Sequence, residues 1–206
     1  MVTSMSVAAA QDSAQSPTMS LWRWDEDYAP RDEDDGRAPW WRRYKAVPLD
    51  DDGEVHVSFG LETRVKGEAF RDEGWGDDGD REYIWWRAMP SADLRVGEHV
   101  QVFTQLIGAI KQGSDKELAP IDEDRGDVLQ AFADVHGRAA GGEWAVRAGR
   151  QVFELGSGRL VSTRYGPNVL FSFDVASLSW RGDGARGELL HARPVDVGDG
   201  SFDNRS

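Results

Sequence analysis

The sequence predicts an all-β protein of about seven antiparallel strands behind an N-terminal arm, and three observations carry that expectation. From residue 54 onward, apolar residues recur at every second position over long stretches, which is the period of a strand rather than a helix. The connections between most of these stretches are short and rich in Gly and Asp, as hairpins require. No stretch reads as a helix of ordinary length. The longest uncharged run, His99 to Ile110, has 12 residues, whereas a spanning helix needs about 18.

Residues 1–53 differ from the rest. Ser, Ala and Gln come first, then aromatics among acids in Leu21-Trp22-Arg23-Trp24-Asp25-Glu26-Asp27, then Asp32-Glu33-Asp34-Asp35. Charge and turn formers without periodicity predict a disordered leader or arm. Ala8-Ala9-Ala10 has the small residues of a signal-peptidase site but lacks a basic and an apolar region before it. It is either an Ala-rich disordered N-terminus or the remnant of a signal peptide whose start lies upstream.

The strands follow in order. In 54–70, Val55, Val57, Phe59, Leu61, Thr63 and Val65 alternate with His56, Ser58, Glu62, Arg64 and Lys66. A second run sets Ile84, Trp86, Ala88, Pro90, Ala92, Leu94 and Val96 against Arg87, Ser91, Asp93 and Arg95, with a bulge or strand end expected at Pro90 because proline lacks a ladder donor. After Gly97-Glu98, Val100, Val102, Thr104, Leu106 and Ile110 oppose Gln101 and Gln105, while Phe103 and Ile107 interrupt the polar side. Leu129, Ala131, Ala133 and Val135 share a face in the strand 127–136. Trp144, Val146 and Ala148 alternate with Arg147 and Gln151, and Ala176, Leu178 and Trp180 with Ser177 and Ser179. A last strand covers about 186–195, and 154–171 is irregular and Gly-rich.

Strands apolar on one side and charged on the other suit two architectures. In a soluble sandwich the apolar faces meet each other; in an outer-membrane barrel they face lipid, and the charged faces line a watery lumen. The strand lengths favour the barrel, as do Trp86, Trp144 and Trp180 on the apolar faces and several Arg on the polar ones.

One stretch is far more specific than the alternation. It runs Arg147-Ala148-Gly149-Arg150-Gln151-Val152-Phe153-Glu154-Leu155-Gly156-Ser157-Gly158-Arg159-Leu160-Val161-Ser162 and continues through Arg164, Gly166-Pro167-Asn168 and Phe173-Asp174. It resembles the signature of the alginate export family of Gram-negative outer-membrane proteins. Ala92-Asp93-Leu94-Arg95, Val102-Phe103-Thr104-Gln105-Leu106 and the strand from Asp127 also resemble that family, so the similarity covers about residues 45–203. The resemblance implies a monomeric, up-and-down transmembrane β-barrel in the outer membrane. Such a barrel passes an acidic polysaccharide, or other small anionic or aromatic solutes, through an Arg-lined pore without a cofactor. It divides the chain into an arm at 1–44 and a barrel domain at 45–206. About seven strands are too few to close a bacterial barrel, which takes an even number from 8 upward. The expectation is therefore the N-terminal part of a longer porin, truncated at its C-terminus. The alternatives are a soluble periplasmic β-sandwich that binds acidic glycans, or a non-functional fragment.

On this reading Arg64, Arg87, Arg95 and Arg147 point into the lumen, where a positive ladder attracts carboxylates; otherwise they form routine ion pairs with neighbours such as Glu62 and Asp93. Arg150, Arg159 and Arg164, with Asn168 and Asp174, belong to a loop that either selects anions through guanidinium–carboxylate pairing or is knitted to the wall by those same charges. Gly149, Gly156, Gly158, Gly166 and Pro167 permit its inward fold.

The chain of 206 residues carries 24 basic and 37 acidic groups, a net charge of -13, and no Cys. That balance argues against nucleic acid as a partner, and the lack of Cys removes disulfides and thiolate chemistry. The acidic runs at 50–52, 77–80 and 122–127 lack a calcium-loop pattern, and His56, His99, His136 and His191 lack metal-ligand spacing. Glu62 and Asp93 are too weak a pair to suggest a glycosidase. The arm, loops and tail hold 13 basic and 28 acidic groups, while the strands and signature hold 11 and 9. The acidity belongs to the wet ends, and the wall is slightly basic.

Overall fold

The computed structural model describes residues 20, 22–28, 39–73, 79–113, 118–155, 158–159, 161–198 and 200–206. Eight strands form one antiparallel sheet in simple sequence order: β1 Val47–Pro48, β2 Val55–Glu73, β3 Gly79–Val96, β4 Val100–Gln112, β5 Asp124–Ala139, β6 Gly142–Gln151, β7 Phe173–Gly182 and β8 Ala185–Pro194. Strands β2 to β8 are the seven expected from the alternation, and the two-residue β1 adds an eighth. Among the described residues no ladder joins β1 to β8, so the sheet is an incomplete barrel. Nor is there among them the second sheet that a sandwich needs.

Burial is inverted relative to a water-soluble sheet. Arg87 and Asp134 are 3% and 5% exposed, whereas Leu61, Val65 and Leu189 are 67%, 59% and 74% exposed. The register explains why whole rows behave alike. In one row Val57, Leu94, Val102 and Ala133 lie side by side, while Arg64 faces Arg87 and Asp134 faces Arg147 in rows of the opposite parity. The apolar side is bare, and the polar side is covered by two segments of the chain itself, residues 161–172 of the loop and residues 22–28 of the arm.

The two ends of the sheet also differ. The turns 97–99, 140–141 and 183–184 lie at one end, and the longer connections 113–123 and 152–172 at the other. On the bare side, Trp144 sits opposite Trp180 near the short-turn end, and Trp86 opposite Ile110 near the long-loop end. From Val100 to Ile110 the apolar row runs about 33 Å along the strand, or about 25 Å of height at the usual tilt of about 40°. That is the height of a lipid-facing band with an aromatic at each border. The Trp180 ring lies over Gly142 and Gly182, where any Cβ would occupy the space of the indole.

Three local features depart from the simple alternation. Leu129 turns to the covered side, away from Ala131, Ala133 and Val135, because the β4–β5 register slips between Gln105 and Leu106. Pro90 produces neither a bulge nor a strand end: β3 continues through it in unchanged register, and only the ladder rows at Met89 and Pro90 toward β4 are missing. Phe103 and Ile107, which interrupted the polar face of β4, are almost fully buried on the covered side. Ile107 joins Met89, Ala109, Leu129, Val152, Val169 and Leu170 in an apolar cluster, against which Trp22 and Tyr165 pack. Burying a side chain such as Ile107 or Leu129 contributes about 2 kcal/mol.

Candidate functional site

The covered side of the sheet holds two groups of charged residues, one under the signature loop and one under the arm. At the loop, Arg64 donates to the carbonyls of Tyr165 at 2.9 Å, Gly166 at 3.2 Å and Pro167. Arg87 donates to Glu62 at 3.0 Å and stacks over the Tyr165 ring at 4.7 Å. The Tyr165 hydroxyl donates to the same Glu62 carboxylate, and burial together with that bond raises the tyrosine above its ordinary range. Asn168, fully enclosed, spreads its amide N–H groups over the carbonyls of Trp86, Ile110 and Asp122 at 3.0–3.1 Å. One side chain thereby ties the loop to β3, to β4 and to the segment leading into β5. Gln105 accepts from Gln130 at 2.8 Å, and Gln130 in turn accepts from the Val152 N–H at 3.1 Å, which anchors the start of the loop.

Nearer the short turns, Arg95 is held by Asp93 at 3.1 Å and Arg147 by Asp134 at 2.8 Å. Gln101 bridges from Asp93 at 2.8 Å to the Trp24 carbonyl at 2.8 Å. Arg95 also donates to the carbonyls of Trp24 at 3.3 Å and Glu26 at 3.0 Å. The Arg147 guanidinium stacks over the Trp24 ring at 4.0 Å and over Phe132 at 4.6 Å. Glu26 is buried and gathers Arg23 at 2.7 Å and the Tyr28 hydroxyl at 2.8 Å, with the Lys45 ammonium at 4.0 Å. Burial pushes Asp25 up against the pull of Arg147 and Arg95, and pushes Lys45 down against the pull of Glu26.

The residues singled out from sequence therefore separate. Arg64, Arg87, Arg95 and Arg147 share the covered side, each engaged with a carboxylate or a carbonyl. Arg150 differs. By register it stands with Ala148 and Val146 on the opposite row, where Asp174 holds it at 2.9 Å. It lies three residues from Arg147, and three is an odd step on a strand. Arg159 and Arg164 are exposed, and Arg164 stacks over Phe171 at 4.8 Å. Gly149 meets a requirement that only glycine satisfies: its φ is +131°, and a Cβ there would run into the Ala131 carbonyl and Phe132. Gly158 has φ +70°, and Gly166 sits exposed in open space next to Pro167. Gly156 lies outside the described residues.

Trp24, Glu26, Gln101, Gln130 and Tyr165 complete the two groups and had no role in the sequence reading. For Trp24 and Glu26 the available signal was the run of aromatics among acids at 21–27. Gln101 shows in the sequence as a polar-face residue of β4, and Gln130 only as a polar residue among the alanines of β5.

Among the described residues no set of three or more His, Asp or Glu is placed to hold a metal ion. The arrangement offers instead guanidinium groups held in fixed positions by carboxylates, on the interior of a sheet whose exterior is apolar. No curated protein and no solved structure matches the chain. A family model described as alginate export matches residues 55–206.

Proposed function

The chain belongs to the alginate export family, and from that membership we propose that it forms wall and interior of an outer-membrane β-barrel channel that passes an anionic polysaccharide or a smaller anionic solute. Passage is by diffusion, and the protein's part is to supply a polar path and a charge pattern. The observation that carries this reading is the inverted burial: charged side chains inside, Leu61, Val65 and Leu189 bare outside. In water, such an exterior would be an aggregation surface; in lipid it is the favourable one. A spanning wall must also satisfy every edge N–H and C=O, so β8 and the open edge of β2 require strand partners in the assembled channel.

The interior charges act in pairs. Asp93, Asp134 and Glu62 hold Arg95, Arg147 and Arg87 at 2.8–3.1 Å. They fix each guanidinium in place while cancelling part of its field. A passing carboxylate exchanges between guanidinium groups through their remaining N–H donors, and no single arginine traps it. Arg159 and Arg164, exposed on the signature loop, add cations at the long-loop side.

The test is the reversal potential of the purified protein in planar bilayers under a KCl gradient. Anion selectivity that falls in an Arg95→Gln/Arg147→Gln variant is expected. Cation selectivity, or recovery of the protein from the soluble periplasm without detergent, would overturn the reading.

A further inference from the structure

The arm 22–28 takes up the binding capacity of the arginines that would serve an anionic solute. The segment carries three consecutive acids, Asp25-Glu26-Asp27, of which Glu26 is buried. Arg95 holds two arm carbonyls and reaches the Asp27 carboxylate at 3.6 Å. The Arg147 guanidinium sits over the Trp24 ring at 4.0 Å, Arg23 stands 3.8 Å from Glu62, and Trp22 packs on the apolar cluster beneath the loop. The segment thus runs along the interior from one charged group to the other.

The way it is held allows release. Its only regular structure is the single 3-10 turn Arg23–Asp25, and among the described residues no ladder joins it to the sheet. The Trp24 indole N–H is buried without a partner among the described residues. A buried donor left unpaired is a cost that water removes once the ring leaves. The carbonyl acceptors that the arm offers to Arg95 and Gln101 are of the kind that a polyanion or water can replace.

We propose that residues 22–28 are an acidic stopper seated on Arg95, Gln101 and Arg147, and that a polyanion entering the channel displaces it by competing for the same guanidinium groups. The proposal rests on the anion-path reading above, and adds that the path is closed by the chain's own N-terminal segment until an anionic solute opens it. Backbone carbonyls and the Asp27 carboxylate of the arm occupy donors that the carboxylates of the solute would take.

The chain has no Cys, so Ser20→Cys supplies a unique attachment point for an environment-sensitive fluorophore beside the stopper. The full chain in detergent micelles is titrated with a polyuronate and, separately, with a neutral glucan of equal length. The expected result is a saturable change of the probe signal with the polyuronate only. In a Trp24→Ala/Asp27→Asn background, the unliganded signal already lies at the displaced value and the polyuronate binds more tightly. If the arm is docked in about nine molecules of ten, the gain is about tenfold. A probe signal that polyuronate leaves unchanged, while calorimetry shows the polymer bound, overturns the stopper and leaves the anion path standing. Equal, weak binding of polyuronate and glucan in the double variant overturns the anion path and the competition with it.

Discussion

Arg87 and Glu62 meet at 3.0 Å across the β2–β3 pair, with the guanidinium almost wholly withdrawn from solvent. The same Glu62 oxygen accepts the Tyr165 hydroxyl, so strand, neighbouring strand and signature loop close on one carboxylate. Removing either charge leaves the other buried and uncompensated. Arg87→Met or Glu62→Gln should each cost about 3 kcal/mol of unfolding free energy in detergent, and the double variant less than their sum. Urea titrations of the four proteins give the comparison, and additive losses would show the pair to be uncoupled.

Asn168 is the second fastening of that loop. Its three carbonyl partners lie on separate segments, so Asn168→Ala should cost about 2–3 kcal/mol. Asn168→Asp should cost more, since a carboxylate facing three carbonyls is repelled where the amide is attracted. Hydrogen exchange of the amides at 161–172 reads the effect directly, with faster exchange expected in both variants and fastest in the Asp.

The sign of one exterior substitution separates lipid from water. Leu61 lies near mid-height of the apolar band, beside Pro90 on β3. Leu61→Arg should disfavour insertion into vesicles by about 2–4 kcal/mol. At an exposed site in water the same change stays within about 0.5 kcal/mol. Folding yield into vesicles, compared with Lys66→Arg on the opposite row, measures it.

Seating of the arm should depend on pH through Asp25. Burial raises its pKa on docking, against the attraction of Arg147 and Arg95. The docked arm therefore binds a proton more readily than the released arm. Docking is favoured as pH falls from the raised value toward the ordinary carboxylate value, and the advantage is lost as pH rises back through that window. The Ser20→Cys probe should report more docked arm on mild acidification, and Asp25→Asn should flatten this dependence.

Much of the fold was legible because burial on one side imposes a two-residue period that survives along β2 and β3 and, but for Phe103 and Ile107, along β4. Misplacements occur where that period breaks. Leu129 follows a register slip that no single strand records, since it arises between partners, and Arg150 stands an odd number of residues from Arg147 while carrying the same charge. The eighth strand, Val47–Pro48, is too short to show a period at all. At the site, the arginines and two of their carboxylate partners, Glu62 and Asp93, were visible in the sequence, but the carbonyl and ring partners supplied by the loop and the arm were not. Whether Arg64 binds a solute or the Pro167 carbonyl depends on a contact between positions 103 residues apart. The arm was the hardest part to read, because aromatics among acids without periodicity look unstructured unless a cationic surface is there to receive them.

Which side of the sheet meets lipid decides whether the chain is a membrane wall, and cysteine scanning of β2 from Ser58 to Lys66 measures that residue by residue. With nitroxide labels on protein reconstituted in lipid vesicles, odd positions such as Phe59, Leu61 and Val65 should be accessible to dissolved oxygen and shielded from a water-soluble relaxation agent. Even positions such as Glu62 and Arg64 should show the reverse or no access to either. Equal access of the water-soluble agent to the odd positions would show that the apolar side faces water and that the chain is not a membrane wall.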